Sequence, residues 1–160
     1  MSLSTLLKCL CHSSKSLLLY PTALIRITLG LFFFSSGFNK ITVLENRQLM
    51  IETMIHAGLP YPEIMATFVA STELIVGLFL ALGLLSRLSG LLLLVISMVA
   101  LITVGLSQIP TGINLITWYS WLLYFPESSY ILLLILLITQ GGGPFSVDKL
   151  IYNKLTNKIY

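Results

Sequence analysis

Four apolar runs, each close to the length that crosses a bilayer, follow one another in this chain at about residues 17–39, 62–85, 88–109 and 126–142. A bilayer core takes roughly 20 helical residues to cross. Lipid offers the backbone no hydrogen-bond partner, so runs of this length and polarity must satisfy themselves as helices. Composition agrees: 56% of the 160 residues are hydrophobic and only 9% charged, where a soluble domain carries roughly a quarter charged. These features predict an all-α fold, a membrane four-helix bundle forming a single domain over residues 1–160. The fourth run, SSYILLLILLITQ, reaches spanning length only with its flanks, Pro126-Glu127 before it and Gly141-Gly142 after it.

The connections carry their own patterns. Between the first two runs, VLENRQLMIETMIHAG (Val43–Gly58) repeats apolar residues at helical spacing against Glu45, Gln48, Glu52 and His56. It predicts an amphipathic helix lying in the interface. Between the last two, NLITWYSWLLYFPE predicts an aromatic loop at headgroup level, with Trp118 and Trp121 as anchors. Lys40 and Arg87 close the first two runs and read as interfacial anchors that snorkel. With four spans, Lys8, Lys15, Arg87, Lys149, Lys154 and Lys158 share one side, and only Lys40 and Arg47 face the other. The positive-inside rule then puts both termini in the cytoplasm, with an uncleaved first span.

Two charges lie inside the apolar runs: Arg26 in the first and Glu73 in the second. Each alone costs about 2.5–3.5 kcal/mol at a helix centre. Measured from the cytoplasmic ends of the runs, Arg26 lies roughly 13 Å deep and Glu73 roughly 18 Å deep, about one helical turn apart. The expectation is an Arg26–Glu73 ion pair between antiparallel neighbours. Arg26, Gly30, Phe33, Gly37 and Lys40 share one helical stripe, and Glu73, Gly77, Leu80, Leu84 and Arg87 repeat its spacing. Gly30 and Gly77, one turn from each charge, let the backbones approach closely. Such a pair is either a clasp that fixes register or an intramembrane site, built on Arg26, Glu73, Gly30 and Gly77, for a quinone headgroup, a proton or a small polar substrate.

Other features carry less. A net charge of +3, scattered along the chain, excludes a nucleic-acid surface. Cys9 and Cys11 in KCLCHSSK are too close for an easy mutual disulfide and too few for a disulfide framework; with His12 they offer weak evidence for a metal cluster, against the reading of an inert or lipid-adjacent pair. His56 with Glu52 reads as a solvated helix face, and Glu63 and Glu127 sit where the positive end of a helix dipole favours an acid. No phosphate-binding loop, nucleophile elbow, zinc motif, dinucleotide fingerprint or covalent cofactor attachment sequence is present.

From Leu24 to Ile151 the chain resembles the DoxX family of small four-helix bacterial membrane proteins. The segments that carry the resemblance are RITLGLFFFSSGFNK, HAGLPYP, TELIVGLFLALGLLSR and GGGPFSVDKLI. Arg26, Gly37, Lys40, Glu73, Gly77 and Arg87 look like family positions, as do Gly143, Pro144, Ser146 and Asp148 of the closing Gly-Pro-x-Ser-x-Asp pattern. The resemblance implies a multi-pass protein of the bacterial inner membrane. It also implies a non-catalytic or quinone-linked subunit of an oxidoreductase complex, serving sulfur oxidation or oxidative-stress defence beside redox-protein partners. Two readings stay open beside it: a small-molecule exporter or permease acting as a homo-oligomer, and a structural scaffold with no chemistry of its own. His12 and His56 both lie outside the apolar runs, so under the redox reading a quinone or a partner protein carries the electrons.

Overall fold

The computed structural model describes residues 19–156. Cys9, Cys11, His12, Lys8, Lys15 and Lys158 fall outside the described residues. Helix α1 runs Leu19–Thr42, α2 Leu44–His56 and α3 Pro62–Leu82. Helix α4 starts as Ser86–Ala100 and continues through a π-helical turn, Leu101–Gly105, and a 3-10 turn, Leu106–Gln108. Helices α5 (Leu115–Tyr124), α6 (Pro126–Gln140) and α7 (Val147–Thr156) follow. The fold is all-α, and α1, α3 and α4 through Gln108 are each long and apolar enough to cross a membrane.

The last third differs from its sequence reading. The aromatic segment expected as a loop is helix α5, started by Asn114, whose side chain accepts from Thr117 N at 2.8 Å. The break comes from Pro126, which holds Phe125 in an extended conformation (φ −71°, ψ 131°) and opens α6 at its first turn. Helices α5 and α6 therefore meet at 74°. Helix α6 alone has 15 residues, roughly 22 Å at the helical rise and short of the hydrocarbon thickness. Only together with α5, as a bent pair, does it reach spanning length and apolarity.

Helix α1 packs chiefly on α3, and α4 on α6. Between the pairs lies a core of Leu29, Phe33, Val76, Leu80, Leu93, Leu134 and Leu137. Tyr130 of α6 joins it, its ring 4.7 Å from that of Phe32 and 5.6 Å from that of Phe33. The outward faces are apolar too: Leu24 is 67% exposed and Ile64 67%. In water such faces would be a liability; in a bilayer they are the solvated surface.

Between α3 and α4 the chain reverses within three residues. Gly83 (φ 72°) ends α3, with its N–H donating to Leu80 O and that of Leu84 to Phe79 O, the double bond of a Schellman stop. This turn, the N-terminal end of α1 and the segment before α7 lie together at one end of the bundle.

Candidate functional site

Glycines set the register on which everything polar depends. A Cβ on Gly30 would stand 2.4 Å from Ala81 N and 2.8 Å from Gly77 O. One on Gly77 would stand 2.5 Å from Phe34 N, and one on Gly37 2.5 Å from Ala70 O. Helices α1 and α3 thus touch backbone to backbone, as Gly30 and Gly77 led us to expect. The contact also fixes which residues are level: Gly37 with Ala70 and Leu74, Gly30 with Gly77 and Ala81. Extrapolated along the antiparallel pair, Arg26 is level with Gly83, and Glu73 with Ser36. The two charges are separated by about ten residues of α1, roughly 15 Å. The expected Arg26–Glu73 pair does not form; each charge has other partners.

Arg26 is completely buried. Its Nη1 donates to Leu80 O at 2.8 Å and Ala81 O at 2.6 Å, and its Nη2 to Phe145 O at 3.2 Å. The first two acceptors are among the last carbonyls of α3, where the regular i to i+4 donors run out and the dipole favours a cation; Leu80 O also takes the Gly83 N–H of the helix stop. The neighbouring carboxylate is that of Asp148, which accepts from Leu85 N (2.7 Å), Ser86 N (2.9 Å) and Ser86 Oγ (2.8 Å) at the start of α4. Burial pushes the Asp148 carboxyl up, but the bonds from Ser86 and Leu85 and the charge of Arg26 outweigh it and hold the carboxyl below its ordinary range. The Asp148 N–H donates to Gly83 O at 3.0 Å. Ser146 bonds within its own turn, to Gly143 O at 2.9 Å. Thr22 Oγ1 of α1 donates to Gln140 Oε1 at the end of α6. This end is a knot in which a cation caps one helix and an anion the next. The closing Gly-Pro-x-Ser-x-Asp pattern finds its physical role here.

Glu73 is 5% exposed. Both its carboxylate oxygens accept from Lys40 Nζ, at 2.8 and 2.7 Å, and Oε2 also accepts from Ser36 Oγ at 3.0 Å. Lys40, expected as an outward anchor, turns inward instead. The level set by the glycines puts Ser36 opposite the acid, and Lys40 follows one helical turn later.

The pair stands on the wall of a half-open cavity of about 960 Å³ bordered by α1, α2, α3, α4 and the start of α6. Most of the wall is apolar, with Phe32, Met50, Met54, Phe68 and Val99 as examples. The π-helical turn of α4 lines the far side through Thr103, Val104 and Gly105. Such turns recur at functional sites because they displace side chains from the regular helical register. An apolar chamber with a few convergent polar groups is the usual form of a small-molecule site.

Of the residues singled out in the sequence, Glu73 reaches this cavity, Gly30 and Gly77 form the helix contact beside it, and Arg26 belongs to the knot at the opposite end. Arg87 is exposed beside Gly141, and Trp118 and Trp121 lie half-open on α5, 38% and 39% exposed. Sequence reasoning missed Ser36, the inward role of Lys40 and the capping role of Asp148. The signal for the first two was present, since Ser36 and Lys40 flank Gly37 on the stripe that faces Glu73. Among the described residues no group of three His, Cys, Asp or Glu stands close enough to hold a metal ion.

Apolar helices of spanning length, lipid-ready outer faces and charges confined to the two ends of the α1–α3 contact define a multi-pass α-helical membrane protein. The chain belongs to the DoxX family, whose pattern it matches over residues 22–106, more than half its length. That stretch contains Arg26, Gly30, Ser36, Lys40, Glu73 and Gly77; Asp148 lies beyond it. Neither a search of curated proteins nor one of solved structures returned a match.

Proposed function

We propose that this protein holds a quinone headgroup against Lys40, Ser36 and Glu73 and serves as the quinone-interacting or anchoring subunit of a membrane redox system. The observation that carries the reading is a bonded ion pair facing an apolar chamber of about 960 Å³. Lys40 Nζ has three protons, so bonding Glu73 leaves it donor capacity for a carbonyl oxygen. The Glu73 carboxylate keeps lone pairs that accept from a hydroxyl. One cluster thus suits both the carbonyl form of a quinone and the hydroxyl form of a quinol, while the phenylalanine and methionine walls suit the ring and tail. When bound, the quinone supplies the two-electron chemistry; the chain's own part is to orient the headgroup and hold a proton-accepting carboxylate near it.

The same reading orients the protein in a bacterial inner membrane. The end with Arg87, Lys149 and Lys154 faces the cytoplasm, and the cavity end, which carries Glu45, Glu52, Glu63 and Glu127, faces outward. Redox-protein partners would then meet the cavity side.

The test is photolabelling of the purified protein with a photoreactive short-tailed quinone, followed by peptide mapping. Label is expected on α1 and α3, with strong loss in Glu73→Gln and Lys40→Met. Equal labelling of wild type and both variants overturns the proposal.

A further inference from the structure

At the other end of the bundle a second cavity, of about 660 Å³, lies between the first turn of α4, the Gly141–Pro144 segment and α7. Its polar wall is basic. Arg87 and Lys149 both line it and both are exposed. Among the described residues neither side chain forms an ion pair or a hydrogen bond. The acid in the same wall, Asp148, has its oxygens engaged by Leu85 and Ser86. A Cβ on Gly141 would stand 3.6 Å from Arg87 Nε, so the guanidinium lies along the glycine segment.

The remainder of the wall is apolar, with Leu19, Leu88 and Tyr152 among it. It continues into the outer face of α4, where Leu88 is 52% exposed, Leu91 48% and Leu92 42%. Helix α7 borders the cavity with Leu150 68% exposed and Tyr152 68% exposed.

We propose that this cavity binds the phosphate headgroup of an anionic phospholipid from the surrounding bilayer. Arg87 and Lys149 hold the phosphate, and the acyl chains run along Leu88 and the leucines beyond it. Two cations without counter-ions call for an anion. The apolar walls, continuous with the lipid-facing surface, select one that carries hydrocarbon over a soluble phosphate. Basic pockets at the ends of transmembrane helices recognise lipid headgroups by this combination. The site is independent of the quinone cavity, which lies at the opposite end of the α1–α3 contact.

The full-length protein in neutral detergent, titrated with phosphatidylglycerol or phosphatidylcholine and examined by native mass spectrometry, tests it. Wild type is expected to retain phosphatidylglycerol in preference, with the preference falling as salt rises. Arg87→Gln and Lys149→Gln should each lower it about fivefold, while Arg47→Gln, at the other end, leaves it unchanged. Equal retention of the two lipids by wild type, which needs no variant to fold, overturns the proposal. So does an undiminished preference in the double variant. Displacement of the lipid by inorganic phosphate at matched concentration also overturns it, because the occupant would then be a soluble anion.

Discussion

At one end of the α1–α3 contact a cation, Arg26, is sealed from all solvent and meets carbonyl oxygens from two other segments. At the other end a cation, Lys40, meets a carboxylate, is 27% exposed at its side chain and borders a large cavity. Both ends solve the same problem, an ionic group below the membrane surface, but with different amounts left over. Arg26 has placed both terminal nitrogens, and only its Nε lacks a partner; its side chain lines neither of the two cavities described above. Lys40 and Glu73 satisfy each other and keep donors and lone pairs in reserve, facing open volume. A buried charge therefore does not by itself mark a site. Spare bonding capacity beside an empty, shaped space does.

The sharpest way to break this contrast is to remove Arg26. Arg26→Met takes one donor each from Leu80 O, Ala81 O and Phe145 O and removes the charge beside Asp148. A stability loss of about 3–5 kcal/mol is expected, the range for breaking a buried charged network, read as thermal unfolding in detergent. Arg26→Lys should recover only part of it, because an ammonium cannot reproduce the planar fork that reaches two chain segments. Wild-type stability in Arg26→Met would mean that the knot does not hold this end together. Next in size is the helix contact: Gly30→Ala and Gly77→Ala each place a methyl group into facing backbone and should cost about 1–3 kcal/mol, the usual range for overpacking. These losses should appear in stability with the ion pair at Lys40 intact.

The sequence made the helices and the facing stripes legible. Arg26, Gly30, Phe33 and Gly37 are buried as the stripe predicts, and so are Glu73, Gly77 and Leu80. It misled on the pairing, and the reason is geometric. Each charge precedes its glycine by four residues. When two such segments run antiparallel with their glycines in contact, the charges fall on opposite sides of the crossing. Depths counted from estimated span ends hid this, since an error of a few residues at each end is as large as the separation being judged. Helix contacts made by small residues are a better ruler than span boundaries. Helix α5 escaped for another reason: its density of Trp and Tyr marks a membrane interface whatever the backbone does, so composition alone did not distinguish helix from loop. Asp148 escaped because its partners, Leu85 and Ser86, lie far away in sequence and use backbone N–H groups that no motif displays.

The cavity end should respond in the opposite way to substitution. Glu73→Gln keeps the shape of the side chain and removes the charge. It should leave thermal stability within about 1 kcal/mol, the usual worth of a partly exposed ion pair, while weakening quinone binding about tenfold or more, as expected for losing a charged hydrogen bond. The exchange Lys40→Glu with Glu73→Lys sharpens the point. It should restore stability, because the pair can re-form, but not quinone labelling, because donor and acceptor have traded places. If labelling returns together with stability, the pair is a clasp like the knot, and the contrast between the two ends disappears.

The smallest expected effect concerns the anion of the knot, and its sign follows from where the proton binds. The Asp148 carboxyl is held below its ordinary value of 3.8 in the folded protein, chiefly by the bonds from Ser86 and Leu85 working against burial. A group whose folded value lies below its unfolded value stabilises the fold above the unfolded value. That stabilisation is lost as the pH falls through the folded one. Asp148→Asn keeps an acceptor for α4 but removes the charge that faces Arg26, so at neutral pH it should be less stable by about 0.5–1 kcal/mol, the lower part of the range for helix-cap changes. The gap between wild type and Asp148→Asn should stay constant down to about pH 4, near the ordinary carboxylate value, and narrow below it as the wild-type carboxyl takes up its proton. Thermal unfolding of both proteins between pH 7 and pH 3 measures it, and taking the difference removes the titration of the other acids. A gap that stays constant to pH 3, or widens, would show that the carboxylate charge does not stabilise the α3–α4 turn. The knot would then rest on Arg26 alone.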